Sequence, residues 1–313
     1  MKKVITLTIN PAVDKNTHIT GLRPDSKLRC SHVIAEPGGG GINVSRAIHK
    51  LGGKSTCMYL AGGSTGELLQ SLLDEEQITS HRVSIKDPTR ENIMVVDDVT
   101  QQQYRLIMEG PTVSTEEWQR SITEVTSLMD EGDYVVASGS LPTGVPTDYY
   151  AKVAEAVKAK GGKIIVDTSG EALKHAATAG VYLLKPNLGE LSSLTSQEAV
   201  TGPDQEHLAQ RMIDQGMTEV VVVSLGPKGA MLVTNGKIEY ITAPTVHKKS
   251  TVGAGDSMVA GMVMRLSEGW SLTDAVRYGV ACGTAAVMTE DTQLCRKEDV
   301  EELYSWIVEH ASR

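Results

Sequence analysis

Residues 150–166 read Tyr150-Ala151-Lys152-Val153-Ala154-Glu155-Ala156-Val157-Lys158-Ala159-Lys160-Gly161-Gly162-Lys163-Ile164-Ile165-Val166. Tyr150, Val153, Ala154 and Val157 fall at i, i+3, i+4 and i+7, which lines one face of a helix with apolar side chains. Gly161 and Gly162 stop that helix. Ile164–Val166 then runs apolar without alternation, as a strand covered on both faces does. Helix, glycine stop and buried strand together form the repeating unit of a parallel sheet. The pattern recurs outward in both directions. Val44, Ala47, Ile48 and Leu51 make a second stripe that ends at Gly52 and Gly53. Val259, Met262, Val263 and Leu266 make a third, ended by Gly269. Val4–Ile9, Tyr134–Ala137, Val181–Leu184 and Val220–Val223 are further strands. The fold class is therefore α/β, with a mostly parallel central sheet flanked by helices on both faces.

Two segments break the rhythm. Lys27–Ile34, Asn92–Val96 and Gln103–Ile107 are short strand candidates joined by polar turns. Residues 15–34 and 90–107 thus read as a small β-sheet projecting from the core, either a lid over a site or a surface hairpin without a role. The rest of 1–313 is expected to form one unit around the large sheet.

The chain has 313 residues, 40% hydrophobic and 22% charged, with a net charge of −9. That acidity disfavours nucleic acid and anionic membrane as general partners. Cys30, Cys57, Cys282 and Cys295 form no C-x-x-C pair, so neither a zinc site nor a disulfide framework is expected. The first apolar run is broken by Thr6, Thr8 and Asn10, too short and polar for a signal peptide, and no stretch approaches a membrane span. The expected location is cytoplasmic.

Four loops carry candidate chemistry. In Glu36-Pro37-Gly38-Gly39-Gly40-Gly41-Ile42-Asn43, the glycines let a ligand approach the backbone just before a helix N-terminus. A flexible turn is the plain alternative. Gly53-Lys54-Ser55 looks like the tail of a P-loop, but position 48 is isoleucine where the motif needs glycine. A dinucleotide fingerprint begun at Gly253 and Gly255 fails at Met258. Thr251-Val252-Gly253-Ala254-Gly255-Asp256-Ser257 opens the third helix. Its amides can form an anion nest, and Asp256 sits in the first turn as a base or as a plain dipole complement. Lys185-Pro186-Asn187-Leu188-Gly189-Glu190 follows a strand; Glu190 can serve Mg²⁺, or Asn187 and Glu190 can form a capping box. Ser224-Leu225-Gly226-Pro227-Lys228-Gly229 also follows a strand and suits nucleotide phosphate or ribose, or an ordinary turn. The last two loops fall where open α/β sheets bind ligands.

Gly38-Gly39-x-Gly41-x-Asn43, Asn187-x-x-Glu190 and Thr251-x-Gly253-Ala254-Gly255-Asp256, in this order and spacing, resemble the PfkB (ribokinase-like) family of carbohydrate kinases. The resemblance spans essentially the whole chain. Within the family it is most similar to the 6-phosphofructokinase subgroup, because Gly40 stands where 1-phosphofructokinases and tagatose-6-phosphate kinases usually carry lysine. The resemblance implies a ribokinase-like fold with a β lid, often used to pair two subunits. It implies transfer from ATP to a phosphorylated ketose, with fructose 6-phosphate as the expected acceptor. Tagatose 6-phosphate and fructose 1-phosphate kinases are alternatives, and a noncatalytic sugar-phosphate sensor is a distant one.

The same resemblance assigns the site. Asp256 is the base, with the amides of Gly253, Ala254 and Gly255 as the anion hole. Asp14, Gly38, Gly39, Asn43, Arg90 and the backbone at Gly139, in Ser138-Gly139-Ser140-Leu141-Pro142, surround the sugar. Lys27 and Arg29, in the lid ribbon, face its phosphate. Lys185, Asn187, Ser224, Gly226 and Gly229 contact ATP, and Glu190 acts on Mg²⁺. Carbonyls of Ser250 and Val252 bind a monovalent cation such as K⁺. Glu290-Asp291-Thr292-Gln293 departs from the family pattern, being acidic and polar where a glycine and a basic residue are expected.

Overall fold

The computed structural model describes residues 1–197, 201–289 and 293–311. In chain order, the elements are β1 Val4–Thr8, β2 Ala12–Ile19, β3 Ser31–Gly38, α1 Gly40–Lys50, β4 Thr56–Ala61, α2 Gly63–Glu75, β5 Ser80–Ser84, β6 Arg90–Asp97 and β7 Gln103–Leu106. There follow α3 Thr115–Ser127, β8 Tyr134–Ser138, α4 Tyr149–Ala159, β9 Lys163–Asp167, α5 Gly170–Thr178, β10 Val181–Leu184, α6 Leu188–Thr195 and α7 Gly202–Asp214. The last are β11 Thr218–Ser224, a 3₁₀ turn Gly226–Lys228, β12 Ala230–Thr234, β13 Lys237–Ile241, α8 Ala254–Ser267, α9 Leu272–Val287 and α10 Lys297–His310.

A nine-stranded sheet runs in the order β13-β12-β11-β10-β9-β8-β1-β4-β5. From β11 to β5 every pairing is parallel, while β12 and β13 close one edge as an antiparallel hairpin. The central strands are buried on both faces. Val220 and Val222 pack with α1, α8, α9 and α10 residues, whereas Val221 and Val223 pack with residues of α3 to α7. Period-two alternation therefore feeds two apolar layers, which explains why these strands read as continuous apolar runs. The helices on both faces agree with the sequence expectation. The β12–β13 hairpin was not expected: Lys237–Ile241 is largely exposed and lacks an apolar run to announce it.

The second sheet has four strands in the order β3-β2-β6-β7. It forms where the sequence placed it, with shifted bounds. β2 starts at Ala12, and β3 covers Ser31–Gly38 rather than Lys27–Ile34. Lys27 and Arg29 thus lie in the exposed loop between β2 and β3, not in a strand. Gly38 ends β3 instead of belonging to a free loop. The two ribbons join through a parallel β2–β6 pairing, from Ala12–Arg90 to Ile19–Asp97. Among the described residues all four cysteines are free thiols, and no helix is long and apolar enough to cross a membrane.

Candidate active site

The carboxyl ends of the parallel strands point their loops to one edge of the large sheet, and Asn43, Lys185, Asn187, Glu190 and Asp256 lie there; Lys27 and Arg29 do not join them. Asn43, in the first turns of α1, donates from Nδ2 to Asp256 Oδ2 at 2.9 Å. Asp256 stands in the first turn of α8, whose N-cap Gly253 adopts φ 71°. A Cβ at Gly253 would lie 2.5 Å from Leu294 Cδ2. Glycine therefore meets two demands at the mouth of this helix, left-handed backbone and close packing. Burial pushes the Asp256 carboxyl up to about 7, the Asp167 charge adds to the rise, and Asn43 and Lys185 oppose it. A carboxyl near neutrality at a helix N-terminus is suited to general-base work.

Lys185 leaves β10 and is almost fully buried, with Nζ 3.5 Å from Asp167 Oδ1. The same Nζ lies 3.5 Å from where a Cβ on Gly255 would stand. Burial disfavours its charge, but Asp167, Glu190 and Asp256 together hold it above the ordinary lysine value. The charged cluster is thus Asp167, Lys185, Glu190 and Asp256. Asp167 was missed in the sequence. It terminates the apolar strand Ile164–Val166, and the rule that ligands bind at strand carboxyl ends could have singled it out.

Asn187 and Glu190 form the capping box that was the plain alternative. Asn187 Oδ1 accepts from the Glu190 amide, and the Asn187 amide donates to Glu190 Oε2, both at 2.9 Å. This fixes the carboxylate at the start of α6 and leaves Oε1 for other work. Burial, then repulsion from Asp167, raises the Glu190 carboxyl. Carboxylates held under mutual repulsion suit a nearby cation. No group of three or more His, Cys, Asp or Glu among the described residues could hold a metal ion. Such a donor set fits Mg²⁺ carried mainly by triphosphate oxygens and water, with Glu190 as a single protein anchor.

Beside this cluster lies a cavity of about 380 Å³, walled by Gly226, Gly229, Val246, Met258, Val280 and Thr284 among others. Ser224 and Gly255 line its edge. Gly229, at φ 100°, packs so tightly that a Cβ would fall on the Ile241 carbonyl oxygen. The mostly apolar walls with a glycine-rich rim suit a purine and its phosphates. A larger groove of about 640 Å³ opens at the amino ends of β9, β10 and β11, lined by Lys163, Val181 and Thr218. No predicted site residue lines it.

On the other side, Asp14 Oδ1 accepts from Asn92 Nδ2 at 2.8 Å, and burial raises the Asp14 carboxyl. A Cβ on Gly38 would fall on that carboxylate, so only glycine allows the approach. Gly39 packs against Thr8 and Pro11. Gly139, at φ 114°, donates its amide to the Asp167 carbonyl. Arg90 spends two donors on carbonyls, Nη1 to Met108 at 3.0 Å and Nη2 to Asn10 at 3.1 Å. Lys27 and Arg29 are exposed, and no described contact joins them to Asp14 or Arg90. The Ser250 hydroxyl accepts from the Val252 amide at 3.2 Å. Glu290, Asp291 and Thr292 lie outside the described residues. Asn10 and Asn92 were also missed; a single asparagine after β1 and another inside β6 carry no sequence signal of their own.

A family model described as "pfkB family carbohydrate kinase" matches residues 4–299. The chain is 42% identical to the ATP-dependent 6-phosphofructokinase isozyme 2 of Escherichia coli K12, over 98% of this chain and 99% of that one. It is 34% identical to the 1-phosphofructokinase of Bacillus subtilis, over 96% of this chain and 97% of that one. The crystal structure of E. coli phosphofructokinase-2 in complex with potassium superposes with a TM-score of 0.95, at 41% identity, over 98% of this chain and all of that one. A ribokinase of Thermotoga maritima shares the fold at 21% identity, with a TM-score of 0.77 over 97% of this chain and all of that one. The matched family model and the site at the carboxyl edge of the sheet agree, and this chain belongs to the pfkB family of carbohydrate kinases.

Proposed function

We propose that this protein transfers the γ-phosphoryl group of ATP to fructose 6-phosphate, giving fructose 1,6-bisphosphate and ADP. The observation that carries the reading is Asp256: a carboxyl raised to about 7, oriented by Asn43 at the N-terminus of α8. Substrate choice rests on the higher identity to 6-phosphofructokinase isozyme 2 than to 1-phosphofructokinase. It is supported at Gly40, where a Cβ would fall on Ser138 Oγ and a lysine side chain would be crowded.

In the reaction, Asp256 takes the proton of the sugar's primary hydroxyl as the oxygen attacks the γ-phosphorus in line. A base of this kind contributes about 10²–10⁴ in rate. The amides of Gly253, Ala254 and Gly255 accept the charge that develops on the transferring group. Lys185 supplies a fixed positive charge beside them, held in place by Asp167. Ser224, Gly226 and Gly229 line the nucleotide cavity, and Asn187 fixes the α6 N-terminus next to it. Glu190 would anchor Mg²⁺ bound with ATP, and the ion would supply charge neutralisation of the phosphate oxygens. Carbonyls of Ser250 and Val252 would hold K⁺. Asp14, Gly38, Gly39, Asn43, Arg90 and Gly139 bound the sugar site.

We read the whole chain as one kinase unit, with the four-stranded sheet as its lid. The lid exposes Val33, Ile34, Leu106 and Ile107, each at least half exposed. Apolar side chains exposed along both outer strands of this sheet favour burial against a second copy of the chain, giving a homodimer through the lid. In that arrangement Lys27 and Arg29 reach the sugar phosphate across the interface. The unpaired thiols fit a reducing compartment, the cytoplasm. The deciding experiment compares kcat/KM with MgATP for fructose 6-phosphate, tagatose 6-phosphate and fructose 1-phosphate. Preference for fructose 6-phosphate supports the reading; preference for another acceptor overturns the substrate, and transfer to none overturns the kinase.

A further inference from the structure

Asn10 is a polar side chain with only 6% of its surface exposed. It follows β1 at the carboxyl edge of the large sheet. Its Nδ2 donates to Ser140 Oγ at 3.1 Å, one residue beyond Gly139. Its main-chain carbonyl accepts from Arg90 Nη2. The next residue, Pro11, places its Cα 3.3 Å from where a Cβ on Gly39 would stand. Asn10 therefore touches or adjoins three of the groups that bound the sugar: Gly39, Arg90 and the Gly139 loop.

Its remaining polar atom, Oδ1, is buried and has no hydrogen-bond partner among the described residues. An orphaned buried acceptor costs about 1–3 kcal/mol, and one at a ligand site calls for an explanation. The segment at Gly110 runs close against it. A Cβ on Gly110 would fall on Asn10 Oδ1, so this glycine is pressed against the oxygen without offering a donor. That segment is itself fastened by sugar-site residues. Arg90 donates to the Met108 carbonyl at 3.0 Å, and the Met108 amide donates to Asn92 Oδ1 at 3.2 Å. Asn92 in turn holds Asp14. The segment beside Asn10 and the bottom of the sugar site are one hydrogen-bonded assembly.

We propose that Asn10 is a specificity-determining residue: when the segment at Gly110 withdraws, Oδ1 accepts a hydrogen bond from a ring hydroxyl of the acceptor sugar. The acceptor class is a polyhydroxylated phosphosugar, so the inference rests on the function proposed above. The hydroxyl supplies the donor that the protein lacks, and the orphaned oxygen becomes satisfied only with the right sugar. A site built to bond a hydroxyl rejects an analogue without it, because the buried acceptor is then left unpaired again. Nδ2 stays on Ser140 and keeps the amide oriented.

The test measures kcat/KM for fructose 6-phosphate and for analogues lacking the 3-hydroxyl, the 4-hydroxyl or the anomeric hydroxyl, in wild type, Asn10→Ala and Asn10→Asp. In wild type, one analogue should lose about tenfold or more. In Asn10→Ala that penalty should collapse toward unity, with the KM for ATP unchanged. In Asn10→Asp, which keeps an acceptor oxygen, the penalty should persist. Asn10→Ser serves as a second truncation if the alanine variant does not fold. Equal penalties in wild type and the truncated variant overturn the role of Asn10 and leave the kinase reading standing. No transfer by the wild type to fructose 6-phosphate overturns the function and this inference with it.

Discussion

Asn43 and Asp256 lie 213 residues apart in the chain, and their side chains meet at 2.9 Å. The bond ties the first turns of α1 to the first turn of α8, so two glycine-rich helix N-termini converge on one carboxylate. Asn43 donates to the ionised form and holds the carboxylate's orientation, but it does not overcome burial. The group stays well above the usual aspartate range.

Asp256→Asn keeps the shape and the bond geometry but removes the base. Turnover should fall by about two decades or more, while binding of ATP and sugar phosphate is retained. Rapid-quench turnover and ligand titration check this. Turnover within a few-fold of wild type would remove Asp256 from its assigned role.

The same residue sets a pH dependence. The base works as carboxylate, so kcat/KM should rise with pH along a single-proton limb with an apparent pKa near 7, then level off. Lys185 holds the Asp256 carboxyl down, so Lys185→Met should move the limb to higher pH. Stability moves the other way. Asp256 is raised in the fold, so its favourable contribution is complete below the unfolded aspartate value. It is lost as pH climbs through about 7. Urea titrations across that window should show a smaller decline for Asp256→Asn than for wild type.

Gly229→Ala tests the nucleotide cavity. The residue sits at φ 100° and its Cβ would fall on the Ile241 carbonyl oxygen. The strain should lower stability by about 1–3 kcal/mol and raise the KM for ATP more than the KM for sugar phosphate. Thermal unfolding and steady-state kinetics read the two effects. An unchanged KM for ATP would detach this turn from nucleotide binding.

The lid reading predicts a change of assembly. Ile34→Lys combined with Ile107→Lys puts charge on exposed apolar positions at both edges of the smaller sheet and should convert a dimer into a monomer, followed by light scattering. Sugar-phosphate KM should rise with dissociation, because Lys27 and Arg29 of the partner leave. A double variant that remains dimeric would place the interface elsewhere.

The large sheet was legible because its strands are short apolar runs between amphipathic helices, and each run feeds two buried layers. The smaller sheet was legible as a break in that rhythm, but its bounds were not. The cations of Lys27-Leu28-Arg29 resemble an edge strand, while Glu36 and Pro37 look like a turn; pairing with β2 draws the strand through them to Gly38. The glycine loops, Asp256 and Asn43 were visible as motifs. Asp167, Asn92 and Asn10 were not, because each is a single polar residue whose meaning depends on which chain segment it faces.

The sequence by itself determined the α/β class and the family and singled out Asp256 as the proposed base, since periodicity and closely spaced motifs are local information. Only the tertiary structure decided what Asp256 experiences. Burial, the nearby Asp167 and Lys185, and the bond from Asn43 come from β9, β10, α1 and α8. Electrostatic energy and desolvation depend on distance through space, which the chain order does not record.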